Sequence, residues 1–164
     1  MIKALKFTSC CLCVFCGLGV RPAHAADGES ITINVPAAVS FYVDDVRNTT
    51  TGTPSPTTMI YSGAHLTAGH SFRLSAAASA ATFLGPGGTQ IPVSLVTWQV
   101  SSSIGGNGVS GTLDHVSYHS VFESFANPMS GRCDITFRLG ALPARVRAGS
   151  HSVNIVWKVE SLGY

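Results

Sequence analysis

Apolar and polar residues alternate along most of this chain with a period of two. Ile31, Ile33 and Val35 are separated by single polar residues, and the run 39–43 repeats the pattern. Because side chains two residues apart share one face of an extended strand, this pattern predicts β-structure. Further strand-like segments span 72–76, 81–84, 93–100, 111–116, 118–125, 135–139 and 153–159.

The spacing of these segments predicts an all-β domain. Residues 46–58 have no apolar rhythm and contain Gly52, Pro54 and Pro56, which indicates a Pro/Thr-rich loop or a long connection between sheets. Glycine-rich turns separate the middle strands. Roughly seven to nine short strands with such turns are typical of an antiparallel two-sheet Ig-like β-sandwich, and a small β-barrel is the alternative.

The last third of the chain carries the clearest alternation. The apolar face of 135–139 is followed, after 143–149, by that of 153–159. We expect these two segments to be neighbouring antiparallel strands. Trp98 and Trp157 are the expected large core residues.

The start of the chain has the pattern of a bacterial secretory leader. Lys3 and Lys6 are followed by an apolar stretch over 7–20, and Ala23 and Ala25 occupy the positions that a signal peptidase reads. This predicts cleavage after Ala25 and an exported chain, located in the periplasm, on the cell surface or outside the cell.

The predicted domains are therefore a cleaved leader at 1–25 and a single β-sandwich domain at 26–164. The leader contains three of the ten basic residues and none of the eight acidic ones, so the remainder carries seven positive and eight negative side chains. A nearly neutral chain lacks the positive surface that nucleic acid or an anionic membrane would need. No nucleic-acid partner and no membrane span are expected.

Four of the five cysteines fall within the predicted leader, which leaves Cys133. A single cysteine cannot form an internal disulfide. Because Cys133 is in phase with the apolar face of 135–139, we expect a buried thiol, and an intermolecular disulfide is the alternative.

Candidate chemistry is sparse. His115 and His119 lie near Asp114 and Glu123, but their segment is predicted to be extended, where four residues span about 13 Å, so direct metal chelation is not expected. Paired acids such as Asp44–Asp45 occur without a calcium-loop pattern, and no serine motif supplies a nucleophile. We therefore expect a non-enzymatic protein with no catalytic residue, no metal and no cofactor.

The C-terminal segment 148–159, AGSHSVNIVWKV, resembles the final strand of bacterial exported Ig-like β-sandwich surface and fimbrial subunits. The alternating stretch 31–35 resembles the segment that such subunits donate to a neighbour. This chain departs from the family because it lacks paired cysteines and continues beyond the strand to Tyr164. The resemblance implies a structural subunit that assembles by strand pairing.

Two functional hypotheses follow. In the first, strand edges pair with like subunits or other cell-surface proteins, and the candidate interface or core residues are Ile31, Ile33, Val35, Val153, Ile155 and Trp157. In the second, the sandwich is a secreted binding module, for example for carbohydrate. Tyr42, Tyr61 and Tyr118 are then candidates for stacking, and Tyr42 is the best of them because it lies opposite the apolar face of its strand.

Overall fold

A computed structural model describes residues 28–163 and the backbone of two short segments before them. Its strands are β1 (Leu5–Lys6), β2 (Arg21–His24), β3 (Ser30–Asn34), β4 (Ala38–Val43), β5 (Thr50–Thr51), β6 (Thr57–His65), β7 (Ser71–Ala78), β8 (Thr82–Leu84), β9 (Gln90–Pro92), β10 (Val96–Ile104), β11 (Gly106–Gly108), β12 (Gly111–Thr112), β13 (His119–Ser124), β14 (Gly131–Leu139) and β15 (Gly149–Leu162). Short 3-10 helices occupy Pro86–Gly88 and Val93–Leu95.

The strands form two main sheets, which confirms the predicted all-β class. Sheet 1 has the order β1-β2-β3-β6-β14-β10-β12, with β5 also paired to β14. Sheet 2 has the order β11-β13-β7-β15-β4, and β8 and β9 form a separate hairpin. All pairings among β3–β15 are antiparallel.

The core lies between the sheets and is filled by the inward residues of the alternating segments. Trp98 and Trp157 are both buried there, as expected. Tyr61, Phe72 and Phe122 form an aromatic cluster with ring centroids 4.8 to 5.8 Å apart. Each such contact adds about 0.5–1.5 kcal/mol to the effect of burial.

The first strand of the domain changes sheets at Pro36. Residues 30–34 pair with β6 in sheet 1, whereas 38–43 pair with β15 in sheet 2. Proline has no N–H to offer a ladder and fixes its own φ angle, so it suits the crossing between two strands. The two sheets are consequently joined along one side by a continuous segment.

Three sequence-based expectations need correction. The strands at 135–139 and 153–159 are not neighbours, because β14 lies in sheet 1 and β15 in sheet 2. Residues 57–65, which were not expected to be a strand, form β6 beside β14. Residues 113–118 do not continue the strand predicted at 111–116, because β12 ends at Thr112.

The predicted leader and its cleavage site at Ala25 lie outside the described residues, apart from the backbone of β1 and β2. Strand β2 pairs antiparallel with β3, with Arg21 opposite Ile33 and His24 opposite Ser30. The outer edge of β3 can therefore accept an additional strand. Cleavage after Ala25 would remove β1 and β2 and leave β3 at the edge of sheet 1.

Candidate functional site: an unpaired edge of the sandwich

Strand β15 pairs with a different neighbour in each half. Its first half pairs with β4 up to Asn154, and its second half pairs with β7 from Ile155 to Leu162. The N–H of Ile155 donates to the Ala37 carbonyl over 2.9 Å, whereas the carbonyl of Asn154 accepts from the Ser79 N–H over 3.2 Å. Because consecutive backbone groups of a strand point to opposite sides, β4 and β7 lie on opposite sides of β15.

This arrangement leaves one side of the second half of β15 without a partner. Odd-numbered residues direct their N–H and C=O groups toward the β4 side, but β4 begins only at Ala38. No ladder among the described residues pairs with the outward backbone groups of Trp157, Val159 and Ser161. We call this stretch, together with the adjacent strand β3, the β3/β15 edge.

At the end of the β3/β15 edge nearest Pro36, a tryptophan fixes β15 to the crossing segment. The Nε1–H of Trp157 donates to the carbonyl oxygen of Pro36 over 2.6 Å, at the point where the chain leaves sheet 1. The indole is almost completely buried, with 4% of its surface exposed. The bond satisfies the buried indole N–H, as a core tryptophan requires, and it holds the crossing segment against β15.

At the other end of the β3/β15 edge, near Ser161, a buried carboxylate makes the connection. Glu29, only 5% exposed, accepts a hydrogen bond at Oε1 from the Thr67 N–H over 2.8 Å. The Nδ1 atom of His70 lies 2.8 Å from the same oxygen and 3.3 Å from Oγ of Ser161. We call Glu29, Thr67, His70 and Ser161 the Glu29 clasp; it connects the residue before β3 to the end of β15.

The electrostatics of the clasp favour an ionised Glu29. Burial would raise the pKa of this carboxyl, but it is outweighed by hydrogen bonds from the backbone and side chain of Thr67, by the Ser161 hydroxyl and by the charge of His70. The net effect lowers the pKa of Glu29 below its ordinary value. The carboxylate therefore stays charged at neutral pH.

The clasp contains a serine, a histidine and a glutamate, but its geometry does not suit nucleophilic catalysis. Ser161 and Glu29 both approach Nδ1 of the His70 ring. In a catalytic triad the serine and the acid contact opposite ring nitrogens, so that a proton taken by one nitrogen is stabilised through the other. The arrangement is that of a structural connection.

The predicted interface residues mostly have core side chains. Ile31, Ile33, Val153, Ile155 and Trp157 are all buried. Val35 is partly buried against the same core. In the β3/β15 edge, the groups that could still pair with another chain are the outward backbone N–H and C=O groups of β15. The sequence analysis did not identify them.

The three tyrosines considered for stacking on a ligand differ in how far their rings are exposed. Tyr42 is 69% exposed on β4, as predicted from its phase. Tyr61 is instead buried, with its hydroxyl donating to the Gly105 carbonyl over 3.0 Å, so the expectation that it could stack on a ligand is wrong. Tyr118 is partly buried, and the Lys158 ammonium lies 5.8 Å from its ring centroid.

The histidines near Asp114 are closer together than an extended segment would allow. His115 Nδ1 lies 3.5 Å from Asp114 Oδ1, and His119 Nε2 lies 3.8 Å from Oδ2. All three line a surface depression of about 590 Å³. Glu123 instead pairs with Arg73 over 3.1 Å. Within the described part of the chain, no three metal-ligating side chains are arranged to hold a metal ion.

Asp45 has a local structural role. Its Oδ1 accepts from the Arg47 N–H over 2.9 Å, and its Oδ2 accepts from the Asn48 side-chain amide over 3.3 Å. Bonds of this kind between an aspartate and the residues two and three positions later stabilise a turn. Asp44 and Asp45 are both exposed and directly follow the last residue of β4, so Asp45 stabilises the turn at the end of this strand.

No family model matches this chain, and neither does any curated protein or any solved structure. The described residues also contain no helix with the length and apolar character that crossing a bilayer requires.

Proposed function

We propose that this chain is an exported bacterial, non-enzymatic structural or surface-associated subunit that assembles by strand pairing, as fimbrial subunits do. Its partners are like subunits or other proteins of the cell surface. The observation that carries this proposal is the unpaired edge of β15 from Trp157 to Ser161.

An unpaired strand edge is a template for another chain. Trp157, Val159 and Ser161 each present one outward N–H and one outward C=O, and each bond made by an added strand would contribute about 0.5–1.5 kcal/mol. Val159 is partly buried and packs against the core from this edge. An added strand with apolar residues at alternate positions would therefore gain both backbone bonds and burial of apolar surface.

Strand β3 forms the second side of this edge. Its backbone already pairs with β2 in the full chain, and β2 belongs to the predicted leader. Export with cleavage after Ala25 would free the outer edge of β3, beside the edge of β15 that is unpaired already. The processed chain would then offer both strand edges for assembly.

The proposal is tested with residues 26–164, the chain expected after cleavage. Light scattering and electron microscopy should detect oligomers or filaments, which Val159→Pro should abolish. Proline is tolerated on an edge strand where the lost N–H faces solvent, so this variant should fold. Val159→Ala removes apolar surface but keeps the N–H and is the matched control. A wild-type chain that stays monomeric at high concentration would contradict the proposal.

A binding module, for example for carbohydrate, is the second candidate because Tyr42 exposes its ring on the outer face of β4. Exposed aromatic rings can stack on the apolar face of a sugar. Glycan-array binding by the processed chain that Tyr42→Ala removes, and that Ser40→Ala on the same face retains, would favour this function. Absence of glycan binding would leave strand pairing as the better account.

A further inference from the structure

The Glu29 clasp has a feature that ordinary core packing does not explain. It places an ionised carboxylate, 5% exposed, between the lead-in to β3 and the end of β15. Burying a charge costs free energy unless the charge is paired and hydrogen-bonded. In the clasp this free-energy cost is offset by the hydrogen bond from Thr67 and by the contact with His70, at the Ser161 end of the β3/β15 edge.

The clasp joins the two sides of the β3/β15 edge through a third element. Glu29 precedes β3 of sheet 1, Ser161 belongs to β15 of sheet 2, and His70 and Thr67 come from the turn between β6 and β7. Trp157 and Pro36 make the corresponding connection at the other end. The edge is therefore held at both ends while the backbone between them stays unpaired.

We propose that Glu29 is a positioning residue for strand addition, because its carboxylate holds the start of β3 against the end of β15 and fixes the separation that an added strand must span. This inference rests on the proposed strand-pairing function. A site whose geometry is already fixed pays less ordering entropy when it binds. Loss of the clasp should therefore weaken assembly even where the domain remains folded.

The surroundings of Glu29 allow its charge to be tested by pH. The titratable group in contact with it is His70; Thr67 and Ser161 contribute neutral donors, and His65 lies on β6 opposite the neighbouring Ser30. Since the pKa of Glu29 is lowered on folding, its contribution is present above the ordinary value of 4.5 and is lost as the pH falls through the lowered pKa. Glu29→Gln should abolish this part of the pH dependence.

The experiment compares processed wild-type chain with Glu29→Ala, Glu29→Gln and Glu160→Gln. Glu160 is the matched control, because this carboxylate also lies on β15 but pairs with Lys158 over 2.6 Å outside the clasp. Amide exchange of the monomer is measured first, and assembly is then measured by light scattering. We expect Glu29→Ala to speed exchange in β3 but not in β10, and to weaken assembly roughly tenfold, the effect of a charged hydrogen bond.

The two remaining variants refine the expected result. Glu29→Gln keeps an oxygen that can accept from the Thr67 N–H, so it should weaken assembly less than Glu29→Ala and should flatten the acid limb of the assembly profile. Glu160→Gln should match the wild type in exchange and in assembly.

Each contrary result has a separate meaning. Unchanged β3 exchange in Glu29→Ala would show that the clasp does not hold β3, which overturns the positioning role. Faster exchange with wild-type assembly would also overturn it, because the clasp would then have only local structural importance. A wild-type chain that does not assemble would overturn the proposed function and with it this role, and the exchange data alone would still show whether Glu29 orders β3.

Discussion

The indole N–H of Trp157 donates to the carbonyl oxygen of Pro36 over 2.6 Å and so connects the unpaired edge of β15 to the place where the chain changes sheets. Trp98, on β10 of sheet 1, makes a comparable bond to the Val109 carbonyl over 2.8 Å. The two tryptophans are similarly buried but hold different parts of the sandwich.

This pair gives a stability prediction with an internal control. Trp157→Phe and Trp98→Phe should each lower the free energy of unfolding by about 1–3 kcal/mol, because each removes buried apolar surface and leaves a carbonyl without its donor. Urea denaturation measures both losses. Only Trp157→Phe should also speed amide exchange at Ile155, whose N–H donates to the Ala37 carbonyl next to Pro36. Equal effects of the two variants at that amide would argue against the role of Trp157 at the crossing.

Cys133 should be unreactive in the folded protein. Its side chain is completely buried, and burial together with the neighbouring Asp134 raises the pKa of the thiol to about 11. Because the thiolate is the reactive form, labelling with a thiol reagent at pH 8 should be negligible in the native state and rapid in urea. Fast labelling of the native protein, or a dimer on a gel that reductant removes, would count against the buried thiol.

His151 should make the fold sensitive to mild acid. It is buried on β15, and neither ring nitrogen makes a well-formed hydrogen bond among the described atoms. Burial lowers its pKa below 6.5, and the nearby backbone of Arg147 offsets this effect only in part. The unfolded chain therefore binds a proton that the folded chain does not, and stability should decrease as the pH falls below about 6.5.

A variant isolates this contribution of His151. His151→Leu should remove that part of the pH dependence and should be more stable than the wild type at pH 5. Thermal unfolding at a series of pH values makes the comparison. A profile for His151→Leu that is parallel to the wild type would assign the acid sensitivity to other groups.

Gly105 should not tolerate a side chain. It adopts a φ angle of +82°, and a Cβ atom there would collide with the Tyr61 hydroxyl and the Ser130 carbonyl. Gly105→Ala should therefore destabilise the protein by about 1–3 kcal/mol, from backbone strain and from loss of the Tyr61 bond. Gly88→Ala, which has a similar φ of +77° but open space around it, separates the two causes in the same denaturation assay.

Alternation was sufficient to predict the class of fold and much of the core, because inward positions repeat every second residue in strands such as β4 and β14. Alternation was not sufficient to predict which strands are neighbours in a sheet. Consecutive strands are usually neighbours, but the segment containing Pro143 carries the chain from sheet 1 to sheet 2, so β14 and β15 do not pair. Strand β6 was missed because Met59 and Ile60 are adjacent apolar residues after a Pro/Thr-rich loop.

The candidate site could not be predicted from the sequence for a different reason. The clasp brings together residues that are far apart in the chain: Thr67 comes 38 positions after Glu29, and Ser161 comes 91 positions after His70. Such contacts depend on the topology and carry no local signal. An unpaired edge is likewise a property of pairing, and the side chains of β15 alternate in the same way whether or not a neighbour is present.

Amide exchange at Val159 is the sharpest test of strand addition at the β3/β15 edge, and Lys158 is the internal reference because its backbone lies in the ladder with β7. In the processed monomer we expect the Val159 amide to exchange rapidly and that of Lys158 to be protected, and after assembly we expect both to be protected. Protection of Val159 in the monomer, or rapid exchange at Val159 in assembled material, would contradict strand addition at this edge.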